Sequence, residues 1–418
     1  MQLLDVCEGI IDCEHKTAPT QETGYPSIRT PNIGRGRFIL EGVNRVSEET
    51  YQLWTRRGVP QPGDLIMARE APVGNVAMIP PGLHPCLGQR TLLIRPDRSK
   101  VEPAFLNYFL NGPHVQGLIH AKTNGATVAH LNMKDVRTMD LPKLPPLPVQ
   151  RRIAGILSAY DELMENSQRR IRLLEAMARA LYREWFIHFR YPGSEPSTRP
   201  AGHPSPNGRR DGDEGAKLVP QGWEVKSIQQ FGTVITGKTP SKANADFYGN
   251  DVPFVKTPDM HGNMFILGTS DCLSTAGAES QANKTLPAGS ICVSCIGTIG
   301  VVSITTEDCQ TNQQINSVVL ANPASREFLF LRLQDSKQTL ENLGANGATM
   351  GNVNKGKFEA MEIVCPSDDV LARYHRLVEP MFSEILSLFR QIQNLRRTRD
   401  LLLPRLLSGQ VNINAKES

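Results

Sequence analysis

The sequence predicts an α+β protein in which two homologous β-rich domains are separated by two long helices, packed as an antiparallel coiled coil with pseudo-twofold symmetry. The first observation behind this prediction is a duplication, because residues 26–32 (PSIRTPN) return as residues 253–259 (PFVKTPD). Residues 124–127 (NGAT) return unchanged as residues 346–349. The separation between equivalent residues shrinks from 227 (253 minus 26) to 222 (346 minus 124), as expected for two copies of one module that differ by small loop deletions.

The second observation is a heptad pattern near the end of each copy. Apolar or small residues recur at alternating steps of four and three, a spacing that forms one seam along a helix and requires a partner helix. In the first copy they are Ile153, Leu157, Tyr160, Met164, Ser167, Ile171, Leu174, Ala178, Leu181 and Trp185. In the second copy they are Tyr374, Val378, Met381, Ile385, Leu388, Ile392, Leu395, Arg399, Leu402 and Leu406. We expect the two helices to pair with each other; the alternative is that each helix docks only on its own β-rich domain.

Short apolar runs between turn-forming residues predict the strands of each domain. The runs are residues 64–68, 75–79 and 91–94, with counterparts at 290–294, 301–305 and 317–320. In chain order we expect a β-rich domain over 1–148, a helix over 149–190, a linker over 191–217, a second β-rich domain over 218–368 and a second helix over 369–410. The linker is rich in Pro, Gly, Ser and mixed charge, a composition that cannot form a core. Pro380 is expected to restart the second helix, and Pro404 to kink it near its end.

Composition excludes several classes of protein. The chain of 418 residues is 39% hydrophobic, a content that becomes ordinary for a globular protein once its 34 glycines are added. Its start carries Asp5 and Glu8 without a basic or long apolar stretch, and no segment approaches the roughly 18 apolar residues of a membrane span, so we expect a cytoplasmic protein without membrane contact. The net charge of +4 is too small to indicate nucleic-acid binding by itself.

The eight cysteines are too few for a disulfide scaffold in a chain of this length. Cys292 and Cys295 have the spacing of a zinc-ligand pair, but a second pair is missing, and we favour buried strand residues. We therefore expect no metal site.

Catalytic motifs are missing from the sequence. A phosphate-binding loop, a GxGxxG turn, HExxH, GxSxG and the Asn-Pro-Pro-aromatic signature of adenine methyltransferases are all absent. Glu14 and Lys16 have the Glu-x-Lys spacing of a nuclease metal site, an alternative that we do not favour because such triplets are frequent in long chains. We expect no catalytic residues.

Polar residues at matching positions of the two copies predict loops that contact DNA. Arg29 corresponds to Lys256, and Gln89-Arg90 corresponds approximately to Gln313-Gln314. Arginine binds guanine and the amides of Asn and Gln bind adenine in the major groove, whereas lysines neutralise phosphates. The expected DNA-contacting residues are Lys16, Arg29, Arg35, Arg37, Arg69, Gln89, Arg90, Asn124, Thr127, Lys238, Thr239, Lys242, Lys256, His261, Asn312, Gln313, Gln314, Asn346, Thr349 and Lys355. Any one of them alone is more often a solvated surface residue, and recurrence in both copies is the reason for the prediction.

Four stretches together resemble the specificity subunit of type I restriction-modification systems, a likeness that covers essentially the whole chain. They are residues 217–223 (KLVPQGW), 236–241 (TGKTPS), 68–74 (AREAPVG) and 144–153 (LPPLPVQRRI). In order, they are similar to the opening of a target-recognition domain, the loop after it, an Arg-containing turn before a strand, and the Pro-rich entry to a conserved helix. The first copy departs from the pattern because it begins at residues 3–6 (LLDV) without the PQGW opening. In the second copy, residues 366–369 (PSDD) only weakly replace the Pro-rich entry.

The resemblance implies two target-recognition domains, held apart by conserved spacer helices, that each read one half of a split, asymmetric DNA target. It implies double-stranded DNA, two modification (adenine methyltransferase) subunits and an ATP-driven restriction and translocase subunit as partners. S-adenosylmethionine, ATP and Mg would belong to those partner subunits, and no cofactor is expected on this chain. The alternatives are a stand-alone nuclease or methyltransferase with an unrecognised site, and an adaptor whose two domains bind proteins.

Overall fold

The chain forms two compact units, each of which combines a β-rich domain with parts of both long helices. In the computed structural model of the chain, residues 1–123, 129–192, 222–345 and 351–411 are described. The first unit contains Met1–Asn166 and Ile392–Ser418, and the second contains Ser167–Gln391. These boundaries cross both long helices, whereas the division expected from the sequence gave each helix a segment of its own. Most of the expected linker lies outside the described residues.

The first unit is built on an antiparallel four-stranded sheet. Its strands are β1 (Cys7–Asp12), β2 (Tyr25–Ile28), β3 (Arg45–Val46), β4 (Leu65–Ala68), β5 (Val76–Met78), β6 (Cys86–Leu87) and β7 (Thr91–Pro96). Its helices are α1 (Glu48–Trp54), α2 (Pro103–Asn111), α3 (Pro113–Ala121), α4 (Met133–Arg137) and the first part of α5 (Leu147–Tyr182). The main sheet has the order β1-β7-β4-β5, and a smaller sheet has the order β3-β2-β6, in which β2 and β6 are parallel.

Alternation along strand β4 separates two cores in this unit. Leu65 and Met67 belong to a core shared with helices α2 and α5, whereas Ile66 and Ala68 belong to a core shared with Ile28 of β2. Burial of each large apolar side chain stabilises the fold by about 1.5 to 3 kcal/mol. Because β4 is covered on both faces, the loops at its ends, rather than its faces, are available to a ligand.

The second unit has a five-stranded main sheet. Its strands are β8 (Glu224–Ser227), β9 (Gly232–Thr236), β10 (Tyr248–Gly249), β11 (Val252–Val255), β12 (Phe265–Ile266), β13 (Asp271–Leu273), β14 (Ile291–Ser294), β15 (Val302–Thr305), β16 (Gln310–Thr311), β17 (Ile315–Leu320) and β18 (Glu362–Cys365). Its helices are the last part of α5, α6 (Thr257–Met260), α7 (Thr275–Glu279), α8 (Arg326–Asp335), α9 (Lys337–Gly344), α10 (Lys355–Glu359) and the first part of α11 (Asp368–Leu407). The sheets have the orders β12-β15-β14-β17-β9, β10-β13-β11-β16 and β18-β8.

The strand orders confirm the predicted duplication. Strands β9, β17, β14 and β15 are neighbours in the same order as β1, β7, β4 and β5, and the parallel pair β11–β16 repeats the pair β2–β6. The register agrees as well, since Ile28 pairs with Leu87 and Val255 pairs with Thr311. Arg29 and Lys256 therefore follow equivalent strands.

The long helices pair in both units, as the heptad pattern predicts. In the second unit Arg170 forms an ion pair with Glu384, and the hydroxyl of Tyr374 donates a hydrogen bond to the backbone oxygen of Ala178 (3.3 Å). Residue numbers rise along α5 as they fall along α11, so the pair is antiparallel. In the first unit, Leu157 and Leu406 share a core that also contains residues of the β-rich domain. Each helix therefore contacts both a partner helix and a β-rich domain.

Helix α11 runs without interruption through both of its prolines. The expectation that Pro380 restarts the helix is wrong, because Asp368–Leu407 is one helix that also passes Pro404. Proline removes one main-chain hydrogen bond from a helix, but Val378 and Phe382, on either side of Pro380, are fully buried. Packing of the apolar face outweighs the local cost. Helix α5 continues beyond Tyr182 into a π-helical turn, Arg183–Ile187.

The cysteines are free thiols, and all except Cys272 are buried. Burial raises the pKa of Cys292 to about 12 and the pKa of Cys295 to about 11, so both thiols stay protonated near neutral pH. Cys292 lies within strand β14, as the favoured interpretation of the CxxC pair predicts. No helix in the described part of the chain combines the length and the hydropathy that a bilayer crossing requires.

Candidate nucleic-acid interface

The loop after strand β6 lies against the loop after strand β1 in the first unit. The side-chain amide of Gln89 donates a hydrogen bond to the backbone oxygen of His15 (3.2 Å), and its Oε1 accepts one from the hydroxyl of Thr17 (3.4 Å). Lys16 lies between these two residues and is exposed. The contacts bring Lys16 and Gln89, two of the predicted DNA-contacting residues, into one cluster of loops.

Gly88 allows the end of strand β2 to approach the same cluster. Its amide donates a hydrogen bond to the backbone oxygen of Ile28 (2.8 Å). A Cβ atom at this position would lie 2.6 Å from that oxygen and 2.8 Å from Cγ of Arg29, so a larger residue would push the two loops apart. The exposed Arg29 therefore lies next to Gln89 and Arg90.

Arg90 has a backbone conformation that is unusual for an arginine. Its φ is 66°, in the left-handed region that residues with a Cβ atom rarely adopt. Its backbone oxygen accepts a hydrogen bond from the amide of Arg69 (2.9 Å), and its guanidinium forms an ion pair with Glu70 (2.8 Å). The side chain is 57% exposed, so the guanidinium is held at the surface with donors left for a ligand.

Behind Arg90, paired polar side chains lead into the interior of the unit. Glu70 accepts a hydrogen bond from Nδ1 of His130 (2.7 Å), and Nε2 of His130 lies 3.1 Å from Nη2 of Arg69. Since arginine can only donate, Nε2 of His130 accepts and the ring proton is on Nδ1. Arg69 in turn pairs with Asp12 (3.0 Å). We call Asp12, Arg69, His130, Glu70 and Arg90 the charged row.

Arg69 has a different role from the one that the sequence predicts. Its side chain is only 7% exposed, and its Nε donates a hydrogen bond to the backbone oxygen of Leu131 (2.9 Å). A buried cation needs such partners because its desolvation is costly. The expectation that Arg69 contacts DNA is therefore corrected: it holds His130 from inside the unit.

Arg35 and Arg37 lie apart from the charged row. They are exposed and flank Gly36, whose amide donates a hydrogen bond to Val76 (2.8 Å) and whose carbonyl accepts one from Asn107 (2.9 Å). These contacts fix the two arginines beside β5, at the edge of the main sheet opposite to β1.

The second unit repeats the loop contacts with different side chains. The hydroxyl of Thr239 donates a hydrogen bond to Oε1 of Gln313 (2.6 Å), as Thr17 does to Gln89. The amide of the exposed Lys238 donates a hydrogen bond to Thr311 (2.9 Å). A Cβ atom at the preceding residue, Gly237, would lie 2.1 Å from the backbone oxygen of Asn312, which explains a glycine in the TGKTPS stretch.

Gln314 occupies the position of Arg90. Its backbone oxygen accepts a hydrogen bond from the amide of Cys295 (2.7 Å), as that of Arg90 does from Arg69. Asn312 is 9% exposed; its side-chain amide donates to Oε1 of Gln314 (3.0 Å), and its Oδ1 accepts from the Gln314 amide (3.1 Å). The expectation that Asn312 contacts DNA is therefore corrected, because its side chain orients Gln314 instead.

The other basic residues of the second unit differ in their surroundings. Lys256 is 33% exposed and forms an ion pair with Asp271, which neutralises part of its charge. Lys355 pairs with Glu359 (3.3 Å) in helix α10. Lys242 lies in the exposed loop after β9, and His261 is exposed directly after helix α6.

Four predicted DNA-contacting residues, Asn124, Thr127, Asn346 and Thr349, lie outside the described residues. The residues that follow them are placed next to the loop clusters. His130 forms an isolated antiparallel bridge with Glu70, and Asn352 forms the equivalent bridge with Ile296.

The nuclease alternative finds no support in the segment that raised it. Glu14 forms ion pairs with Arg56 (3.1 Å) and Arg57 (3.4 Å). Among the described residues, Asp12, Cys13 and His15 form a group that could hold a metal ion. However, Asp12 is already paired with a guanidinium, and burial raises the pKa of the Cys13 thiol, which favours the protonated form that does not bind metals.

Glu70 and His130 are the residues of this site that sequence reasoning missed. Glu70 lies within the AREAPVG stretch, and its place beside an arginine was the available signal. His130 is 60 residues further along the chain, and no pattern in the sequence links the two.

Comparisons with known proteins agree with this architecture. The family model for the type I restriction modification DNA specificity domain matches residues 2–176 and 220–370. The type I restriction enzyme HindI specificity subunit of Haemophilus influenzae is 34% identical over 367 residues, which cover 77% of this chain and 80% of that protein. The MjaIX specificity subunit of Methanocaldococcus jannaschii is 24% identical over 382 residues, which cover 90% of this chain and 84% of that protein.

A solved structure shares the fold. The crystal structure of a type I restriction-modification system S subunit from M. genitalium matches with a TM-score of 0.63 and 12% identity, over 97% of this chain and 95% of that chain. Because the family model covers both copies of the module and a curated relative is 34% identical, the chain belongs to the type I restriction modification DNA specificity family.

Proposed function

We propose that each unit of this DNA sequence-specificity subunit reads one half of a two-part, asymmetric target in double-stranded DNA. The observation that carries the proposal is one loop cluster built twice from different side chains. The first unit presents Arg29, Gln89 and Arg90, and the second presents Lys256, Gln313 and Gln314. Different donors and acceptors bind different base edges in the major groove, so the two halves of the target are expected to differ.

Lysines near the loops fit contacts to the DNA backbone. Lys16 in the first unit and Lys238 and Lys242 in the second are exposed. Such residues neutralise phosphates and release counterions, so the logarithm of the binding constant falls by about 0.9 per phosphate contacted for each unit of log salt. This dependence separates a DNA reader from an adaptor that binds proteins.

The experiment is selection of duplexes from a random library by the full-length chain, followed by affinity measurements over a range of salt concentrations. We expect enrichment of a two-part sequence and a steep loss of affinity as salt rises. Failure to enrich any sequence would contradict the proposal.

We propose two modification subunits and a restriction and translocase subunit as partners. The chain itself is the non-catalytic recognition subunit, and S-adenosylmethionine, ATP and Mg are assigned to the partners. Because genomic DNA is its ligand, we propose the cytoplasm as its location. Mg-dependent DNA cleavage or S-adenosylmethionine binding by the isolated chain would contradict this assignment, and native mass spectrometry of the assembled complex would give the number of each subunit.

A further inference from the structure

Arg90 and Gln314 hold the same place in the two units but offer different chemistry. Each follows one of the equivalent short strands β6 and β16, and the backbone oxygen of each accepts a hydrogen bond from the residue directly after β4 or β14. Arg90 presents a planar fork of donors, whereas Gln314 presents one donor group and one acceptor oxygen.

We propose that Arg90 and Gln314 are equivalent specificity-determining residues, Arg90 taking a guanine and Gln314 an adenine, and that Glu70 and His130 are positioning residues for Arg90. The inference rests on the proposed function, in which each unit reads DNA. Beyond the proposed function, it specifies which base each unit binds at this position and which residues orient Arg90 for binding.

The chemistry of the base edges supports these assignments. Guanine presents two acceptors, O6 and N7, which match the two parallel donors of an arginine fork. Adenine presents an acceptor and a donor, which match the amide of glutamine. Oε1 of Gln314 has two lone pairs, and Asn312 uses one of them, so the other remains for the amino group of adenine.

Arg90 is held at both its backbone and its side chain. The two oxygens of Glu70 have different partners, since Oε2 pairs with Arg90 and Oε1 accepts from His130. Glu70 is 14% exposed, so rotating its carboxylate would break at least one of these contacts within the unit. Arg69 in turn fixes the ring proton of His130 on Nδ1. An arginine restrained in this way loses less conformational freedom when it binds a base.

A nearby ion pair offers a matched control. Arg56 is 58% exposed and pairs with Glu14, which is 11% exposed, so its surroundings resemble those of Arg90 and Glu70. Arg56 follows helix α1 and is not a member of the charged row. Its replacement removes the same charge and the same kind of ion pair, and is expected to leave base preference unchanged.

The test is duplex selection with full-length variants. We expect Arg90→Gln to change the preference at one base pair of one half-site from guanine to adenine by about tenfold, with the other half-site unchanged. Gln314→Arg should produce the reverse change in the other half-site. Arg90→Lys, which keeps the charge but loses the fork, should weaken the guanine preference. Arg56→Gln should leave both half-sites as they are.

The positioning role of Glu70 and His130 is tested by NMR of the His130 ring in addition to base preference. In the unmodified chain, the ¹⁵N signals of His130 should show the proton on Nδ1. Arg69 still donates to Nε2 of His130 in both variants, so Glu70→Gln and Glu70→Ala should both keep this tautomer. Glu70→Gln keeps an acceptor oxygen and should preserve the hydrogen bond of Nδ1 while weakening the guanine preference, whereas Glu70→Ala should lose both the hydrogen bond and the preference. A purely structural role would lower stability without changing which base is preferred.

The outcomes separate this inference from the proposed function. If the unmodified chain selects a two-part sequence but Arg90→Gln and Arg90→Lys select the same bases, the inference is wrong and the proposed function stands. If the unmodified chain selects no sequence, the proposed function fails and the inference fails with it.

Discussion

Arg399, the charged residue within the otherwise apolar seam of α11, has a carboxylate partner in the first unit. Its Nη1 lies 2.5 Å from Oδ1 of Asp161, whose other oxygen accepts a hydrogen bond from Tyr108 (2.6 Å). Burial and this contact with Asp161 raise the pKa of Tyr108, so its hydroxyl stays protonated and donates. The seam tolerates a charge here because Asp161 of the first helix pairs with Arg399, and Tyr108 of the β-rich domain in turn holds Asp161.

Glu327 is a fully buried carboxylate whose partners lie within the second unit. Arg326 donates to one oxygen (2.7 Å), and Nδ1 of His375 on α11 lies 2.6 Å from the other. We expect Glu327→Gln to reduce the free energy of unfolding by about 2 kcal/mol, because Arg326 loses its charged partner and His375 loses a carboxylate acceptor at a position where the replaced side chain is fully buried. The control is Glu341→Gln, which removes an exposed partner of Lys337 (3.9 Å) and should change stability by less than about 0.5 kcal/mol. Urea unfolding measures both, and equal effects would contradict the account.

The repeat in the sequence predicted which residues occupy equivalent positions in the two units. It did not predict which of those residues are buried. The structure places Arg29 and Lys256 at equivalent strand ends, and Gln89 and Gln313 in equivalent hydrogen bonds, as the repeat indicates. Arg69 resembled an exposed arginine in the sequence because its partner Asp12 lies 57 residues away. Side-chain pairing over such separations depends on the folded loops rather than on any local pattern.

At the level of elements, Pro380 lies within α11 although it cannot donate the usual main-chain hydrogen bond. Pro380→Ala restores that bond and should raise the free energy of unfolding of the second unit by about 1 to 3 kcal/mol. Part of this gain is offset because the unfolded chain has more conformational entropy without the proline. The control is Pro113→Ala, since Pro113 is the first residue of α3, where the missing donor costs nothing. Thermal unfolding measures both variants. A Pro380→Ala chain no more stable than the control would show that the helix has adapted to its proline.

The helices could be predicted because ten regularly spaced positions in each copy define a helix and the face of it that is buried. Members of the predicted seam such as Ile153, Leu157, Ile385 and Ile392 are buried. The break at Pro380 was predicted wrongly because local rules omit the packing of the neighbouring turns. Each unit contains parts of both helices. This division depends on contacts between segments that are far apart in the sequence, so local sequence patterns do not predict it.

If the paired helices set the distance between the reading units, their length should set the gap between the half-sites. Inserting seven residues after Asn166 and seven after Gln391 lengthens each helix by about 10 Å while keeping the seam in phase. The gap in the selected DNA sequence should widen by about three base pairs, given a rise of about 3.4 Å per base pair. Five-residue insertions at the same places turn the seam by about 140° and should destabilise the pair instead. If the gap is unchanged in the seven-residue variant, the paired helices do not set the distance between the half-sites.

At the level of the whole molecule, the duplication made the architecture predictable. Two copies of one module, each ending in a seam, indicate the same fold twice, and both the strand orders and the family model bear this out. Which bases are read depends on loop side chains whose orientation is set by pairs such as Glu70 with His130, and the sequence does not contain that information directly.

We propose that this chain carries two reading units that act independently of each other. The decisive experiment exchanges residues 1–148 for the equivalent domain of a family member with a different target. The readout is the methylated DNA motif in cells that also contain the modification subunits. We expect a motif in which one half is replaced and the other half is retained. If both halves change, the two units do not read independently.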